Sequence, residues 1–522
     1  MNSPQDHQPV ALFFPGMRQP CPTATWWRYP VIAALVGVCL SGASTFAAGP
    51  ATKAPAAEAP VKQPATEAAD SADPVYHQAV VAADHPAASE AGLAMLRQGG
   101  NVVDAAAATS FALAVVRPAS CGLGGGGFMV IWNAEKQQAI ALDYRERAPH
   151  RATRNMFTRA AEASPDAPEA LLSRRGGLAV AVPGTVAGLC HAVEHYGKLD
   201  LSTVLAPAIR LCEEGVPVDP HMREVQQGML RGMSDSEKAT YAPLVRLYLN
   251  EGKPWQAGDR FHSPLGPVLQ KIAATGSAGF YSEEVGRALV QAVQQQGGLL
   301  EPEDLQNVKP VVRKPVSGEY RGSRIFSMPP PSSGGIALLE TLNILEAREQ
   351  SNAGEDLEKL GHNSPEYIHL VAEAMKHAFA DRAEFLGDAD VVEVPVARLT
   401  SPAYAAQLAR RINPDHTRPL KEYGRYLPTT DSGTSHFSVM DARGNAVACT
   451  ETINTGFGSW VVEPEFGIVL NNEMDDFAAI PGRPNAFGLL QSEANAVAPG
   501  KKPLSSMSPT IVVRDGQAIF AA

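Results

Sequence analysis

The sequence predicts a loop-rich fold that mixes helices and strands rather than a helical bundle. Three observations predict it. Glycine (45) and proline (42) are both plentiful among 522 residues, which calls for many tight turns. Two apolar, alanine-rich stretches with helical character, 87–99 and 101–116, stand near the start of the globular part. Later the hydrophobic period changes to two: 435–440 and 446–452 read as strands, joined by the hairpin turn Asp441-Ala442-Arg443-Gly444-Asn445.

The composition is that of an ordinary globular protein, 45% hydrophobic and 19% charged, and its length allows roughly three domains. A net charge of −11 without a long basic block argues against a nucleic-acid partner. Of six cysteines, Cys21 and Cys39 fall near the amino terminus, while Cys121, Cys190, Cys212 and Cys449 are scattered. None forms a CxxC or a His/Cys metal spacing, so buried thiols are expected, and a disulfide in an oxidising compartment stays open.

Taken in order, residues 1–48 read as a signal peptide or an uncleaved signal anchor. Arg18 and Arg28 precede the apolar run Val31–Leu40, and a small-residue Thr45-x-Ala47 site follows. Met17 as the start would give a more usual length. Residues 49–75, rich in Ala, Pro, Glu and Lys and free of aromatics, suit a disordered linker. After the two alanine-rich helices, Gly122, Gly124 and Gly127 satisfy G-x-G-x-x-G. A helix precedes them and a strand, 128–132, follows, the reverse of a dinucleotide site, so close backbone approach is the better reading.

Residues 140–146 read as a strand ending in charge, where Arg145 could simply pair with Asp143 or Glu146 at the surface. Pro183-Gly184 turns the chain into a helix, and 318–322 with 325–328 resemble a hairpin. Ser332-Ser333-Gly334-Gly335 opens the next helix, as an anion site or a plain cap. Asn471-Asn472-Glu473-Met474-Asp475-Asp476 is an acidic cluster for a metal or a cationic group, without calcium-loop spacing. Strands are expected at 510–513 and 518–522.

The stretch with most chemical promise is Gly433-Thr434-Ser435-His436. A threonine that opens a strand behind a small residue and a loose connector can become a new amino terminus, with its hydroxyl as nucleophile and its α-amine as base.

Eight motifs in order, GLGGGGFM, DYRE, PGTVAG, SMPPPSSGG, GTSHFSV, TETINTGFG, NNEMDDFA and PLSSMSPT, show that residues 76–522 resemble the γ-glutamyltransferases (γ-glutamyltranspeptidases), members of the N-terminal-nucleophile hydrolases. The resemblance implies an α+β fold, the four-layer αββα sandwich. It implies self-cleavage between Gly433 and Thr434 into a heterodimer, with 76–433 as large subunit and 434–522 as small subunit. Thr434 would be the nucleophile, supported by Thr452. Arg145 would hold the α-carboxylate of a γ-glutamyl donor such as glutathione, assisted by Ser505 and Ser506. Asp476 would hold the α-ammonium, with Glu473 and Asn454 adding hydrogen bonds. The 481–488 loop would be a lid whose aromatic is Phe487, where many bacterial relatives carry Tyr. Water or the amine of an amino acid or peptide would accept the acyl group, and no cofactor is implied.

Export to the periplasm or beyond follows from the leader reading, with a membrane anchor as the alternative. A cephalosporin or glutaryl acylase is the alternative enzyme, although Asp476 favours donors that carry an α-ammonium. The family continues past its last matching strand into a Gly-Ser-Pro-Gly-Gly segment that forms the oxyanion hole. The small subunit is therefore expected to be incomplete here. A second alternative follows: a catalytically impaired remnant with a binding or structural role, since one lost oxyanion donor costs about a hundred- to a thousandfold in rate.

Overall fold

The computed structural model describes residues 76–522 apart from 164–171, 307, 352–355, 425–432 and 481. The expected signal and linker, 1–75, lie outside the described residues, as do residues 425–432 of the connector before Gly433 and the first lid residue.

Local sequence explains the helices that frame the site. Helix α1 (Pro86–Arg97) starts at a proline behind His85, whose ring accepts from the Ala87 amide. Helix α2 (Val102–Val116) starts at a capping box made by Asn101 and Asp104. Every residue of α2 is buried, as an all-round apolar helix requires. Helix α3 (Thr185–Tyr196) follows the Pro183-Gly184 turn. Further on come α4 (Gly334–Ser351) and α5 (Pro365–Phe385), the latter capped by Ser364.

The strands form two main antiparallel sheets. They are β1 (Ala79–Ala83), β2 (Gly126–Asn133), β3 (Gln138–Asp143), β4 (Val311–Arg313), β5 (Val316–Tyr320), β6 (Ser323–Ser327), β7 (Thr434–Asp441), β8 (Ala446–Thr452), β9 (Thr510–Arg514) and β10 (Gln517–Ala521). The larger sheet has the order β1-β7-β8-β2-β3-β4 and the smaller β10-β9-β6-β5. Both expected hairpins, β5–β6 and β7–β8, are present. Strand β1 was not among the expected elements; its five residues, AVVAA, carry no polar alternation to mark them. The strand read as 140–146 ends at Asp143; Tyr144 still exchanges both backbone hydrogen bonds with Gly127, and Arg145 and Glu146 lie beyond the ladder.

Period-two alternation sorts the side chains into layers. On β2, Met129 and Ile131 join α2 and α3 in one core, while Phe128, Val130 and Trp132 face the other sheet. On β8, Val447 and Cys449 face the helices, and Ala446 and Ala448 face the other sheet. Phe326, Ile511 and Val513 of the smaller sheet fill that space from the far side. Ile325 and Val512 turn outward onto Ile336, Leu339 and Leu342 of α4 and Leu370 and Ala374 of α5. The result is helix, sheet, sheet, helix: the four-layer αββα sandwich of the N-terminal-nucleophile fold.

Candidate active site

The β7–β8 hairpin fixes where Thr434 sits. Its turn is held by Asp441, whose carboxylate accepts from the amides of Arg443 and Asn445, and by Gly444 at φ +81°. From that turn the ladder runs in register to its open end, where Thr434 lies opposite Thr452. Thr452 Oγ1 accepts from the Asn454 amide at 2.7 Å and donates to the Gly433 carbonyl at 3.0 Å. Its one proton is thereby used, so Thr434 Oγ1, 3.3 Å away, is the donor in the remaining contact.

One hydroxyl therefore holds both the Thr434 hydroxyl and the carbonyl of the residue before it. Gly433 has φ +117°, and a Cβ there would come within 2.5 Å of the Asn454 carbonyl oxygen, so a glycine is required before Thr434. His436, on the same face of β7, is not a base for Thr434. Its ring nitrogens are engaged by Thr450 (2.7 Å) and Ser438 (3.1 Å), and burial pushes its pKa down to about 4, leaving it neutral.

A hydrogen-bond relay leads from this pair to a charged group. Asn454, at φ +77°, donates its side-chain amide to the Asn472 carbonyl at 2.9 Å. The next residue, Glu473, pairs with Arg145. Arg145 is buried rather than superficial: its guanidinium bonds Glu473 and Asp476, and its Nε donates to the Pro503 carbonyl at 3.3 Å. Glu146 lies 3.7 Å from the same guanidinium.

Burial works against the charge on Arg145, but the carboxylates of Glu473, Asp476 and Glu146 outweigh it and hold the guanidinium protonated. Burial likewise raises the carboxyl pKa of Glu473, and raises that of Glu146 to about 7. One oxygen of Glu473 and both of Glu146 have no hydrogen-bond partner. The acidic cluster thus serves as counter-charge to Arg145.

Ser505 and Ser506 lie beside this group without bonding Arg145. The Ser505 carbonyl accepts from the Ser333 amide and hydroxyl, and Ser506 accepts from Arg382 at 3.1 Å. Arg382 also donates to the Ser333 hydroxyl at 2.9 Å. The Gly334 amide that opens α4 donates to the Ser332 hydroxyl, and the Ser333 amide before it to the Ser505 carbonyl, so the two serines serve as a cap. The lid expected at 481–488 is tied to the acidic pair. Asn485 donates to Asp476 at 3.2 Å, and the Ala486 amide donates to Asp475 at 2.6 Å. Phe487 is half-buried, and its amide donates to Asn485.

Sequence reasoning placed Asn472 and Asp475 in the acidic cluster and Ser333 in the Ser-Ser-Gly-Gly stretch without linking them to one another, and it missed Arg382. Arg382 gave no signal inside its long helix. Cys121, Cys190, Cys212 and Cys449 are buried free thiols, as composition suggested.

A strand-opening threonine whose hydroxyl shares one partner with its own preceding carbonyl, set in a four-layer sandwich, defines the N-terminal-nucleophile hydrolase class. Within that class the chain belongs to the γ-glutamyltranspeptidase family, whose sequence profile (Gamma-glutamyltranspeptidase) matches residues 88–522. The glutathione hydrolase proenzyme of Escherichia coli (strain K12) is 42% identical over 497 residues, 94% of this chain and 81% of that protein. That of Pseudomonas sp. (strain A14) is 41% identical over 84% of this chain and 74% of its own length. Among solved structures, cephalosporin acylase from Bacillus halodurans superposes with a TM-score of 0.71 at 29% identity, over 88% of this chain and 80% of that one. γ-Glutamyltranspeptidase of Helicobacter pylori gives 0.59 at 39% identity, over 66% and 94%.

Proposed function

We propose that this chain is a self-processing γ-glutamyl hydrolase and transferase that acts on glutathione and related donors. The observation that carries the proposal is the triangle of Thr434 Oγ1, Thr452 Oγ1 and the Gly433 carbonyl. In processing, Thr434 Oγ1 attacks the Gly433 carbonyl carbon, with Thr452 polarising the C=O. The C–N bond breaks as its nitrogen takes a proton, leaving an ester on Thr434. Water then hydrolyses the ester to a Gly433 carboxylate and the Thr434 hydroxyl, leaving Thr434 with the α-amine freed in the preceding step. Residues 76–433 and 434–522 become large and small subunits. The new amine, with an ordinary pKa of ~7.7–8.0, is suited to act as general base near neutral pH.

In turnover Thr434 takes the γ-acyl group of the donor and passes it to water, or to the amine of an amino acid or peptide. Arg145 takes the donor α-carboxylate as a planar two-pronged partner. Asp476 takes the α-ammonium, Asn454 and Glu473 add hydrogen bonds, and the serines of PLSSM close the carboxylate end. The likeness in fold to a cephalosporin acylase supports a second reading, an amide acylase. The acidic residue at 476 favours γ-glutamyl donors over it. The leader reading supports export to the periplasm or beyond, and a membrane anchor is its alternative.

A denaturing gel with amino-terminal sequencing tests the proposal. Two fragments are expected, the smaller beginning at Thr434, together with hydrolysis of a γ-glutamyl anilide. Thr434→Ala is expected to stay as one band with no turnover. A wild-type chain that remains uncut and inactive would overturn the reading.

A further inference from the structure

Glu451 stands between Thr450 and Thr452 on β8. Strand alternation sends its side chain to the opposite face from Thr452, among the apolar residues under the sheet. Its face-mates on β8 are Val447 and Cys449, so an ionisable group breaks the local pattern. The carboxyl is buried and has two partners: the Ser110 hydroxyl of α2 and the Tyr144 phenol, the latter at 2.9 Å. Tyr144 OH also lies 3.0 Å from Cys449 Sγ.

The ionisable groups that face Glu451 are Tyr144, Cys449 and Cys121, and none is a cation; burial raises the carboxyl pKa to about 7. A buried polar group without a charge partner costs stability, so its retention asks for a reason.

The surroundings of Tyr144 supply one. A Cβ on Gly188 would come within 2.2 Å of the Tyr144 ring, and one on Gly127 within 2.9 Å. A Cβ on Gly184 would come within 2.1 Å of the Tyr144 carbonyl oxygen. The GLGGGGFM and PGTVAG glycines therefore close around this tyrosine and leave it one place to point. At that place its hydroxyl meets Glu451. The residue after Glu451 is Thr452, which holds the nucleophile, and the residue after Tyr144 is Arg145. Both halves of the site hang one peptide from the same hydrogen bond.

We propose that Glu451 and Tyr144 form a positioning bridge that sets the Thr434–Thr452 pair relative to the Arg145 guanidinium. The inference rests on the function proposed above. Neither bridge residue touches the donor; each acts through its neighbour.

Self-cleavage and steady-state hydrolysis of a γ-glutamyl anilide by the full chain test the bridge. Tyr144→Phe keeps the ring in its glycine enclosure and deletes only the hydroxyl. Its donor KM is expected to rise about five- to tenfold, the loss of one buried hydrogen bond. Its kcat should change by less than about threefold and its self-cleavage rate hold, because cleavage needs Gly433, Thr434 and Thr452 but not Arg145. Glu451→Leu is expected to slow cleavage as well as raise KM, whereas Glu451→Gln, which can still bond both hydroxyls, restores most of both. Tyr144→Phe added to Glu451→Leu should raise KM no further, since the two remove one shared bond.

Lower melting temperatures with KM and cleavage rate within about twofold of wild type would overturn the bridge, and so would additive effects in the double variant. Should Glu451→Leu fail to fold, Tyr144→Phe and Glu451→Gln still decide it. A wild-type chain that neither cuts nor turns over donor fails the functional reading itself, a result distinct from any of these.

Discussion

Around Thr434 the hydrogen-bonding groups are neutral: two hydroxyls, a glycine carbonyl, the backbone of Asn454 and a histidine kept uncharged by burial. Around Arg145 they are ionic, with Glu146, Glu473 and Asp476 gathered on one buried guanidinium. The two halves meet through Asn454 and Asn472. The difference fits the tasks proposed for the two halves. Self-cleavage joins groups already on adjacent residues, so orientation supplies most of the advantage and charge is unnecessary. Taking a zwitterion out of water needs opposite charges in place beforehand, and buried charges survive only when they compensate one another.

The comparison breaks most sharply at Arg145. Arg145→Lys keeps the charge and loses the planar fork. Donor KM should rise on the order of tenfold to a hundredfold, while the chain still cuts itself at the wild-type rate. Loss of cleavage together with binding would mean that the halves are not separable. Gly433→Ala strikes the other half. At φ +117°, with the Asn454 carbonyl in the way, an alanine adds strain of about 1–3 kcal/mol and should slow cleavage roughly tenfold or more. Molecules that do cut should turn over donor normally, because residue 433 is no longer joined to the nucleophile; a lowered kcat per cut molecule would contradict this.

A smaller effect is expected in the pH dependence of stability. Unfolded, Glu451 titrates at its ordinary value of 4.5; folded, at about 7. The folded state therefore holds the proton more tightly, and stability is lost as pH rises through that window, by about 3 kcal/mol. Glu451→Gln cannot lose that proton. Its stability relative to wild type should increase between pH 5 and pH 8 in denaturant titrations, and a constant difference would refute the assignment. The smallest effect belongs to the lid. Phe487→Tyr supplies a hydroxyl that could latch it, and should shift the ratio of transfer to hydrolysis; an identical ratio in both proteins would exclude that role for residue 487.

Much of the fold was legible because its signals are local. The Asp441–Asn445 turn sets the register that puts Thr434 opposite Thr452, and the Asn101 capping box begins α2 where the apolar run begins. The roles expected of Arg145 and Asp476 came from resemblance to motifs. Their mutual pairing was not legible, since Arg145 and Asp476 are separated by 331 positions and no pattern in either segment refers to the other. The same distance hid the contact of Glu451 with Tyr144 and that of Arg382 with Ser333 and Ser506. Arg145 read alone suggested a surface ion pair; burial, a property of the assembled layers, reversed that.

The cross-pairing of Arg145 with Asp476 also bears on what the site refuses. A donor bearing both an α-carboxylate and an α-ammonium can replace each protein charge with one of its own, so no charge is left uncompensated by the exchange. A ligand with a carboxylate alone would displace Asp476 from Arg145 and give it nothing back. An amine alone would strip Arg145 in the same way. Either leaves a buried ion without its counter-ion, which costs about 3–5 kcal/mol. If Arg145 and Asp476 hold the donor as proposed, selection for α-amino acids would reside in a trade of partners that balances only when both are supplied at once.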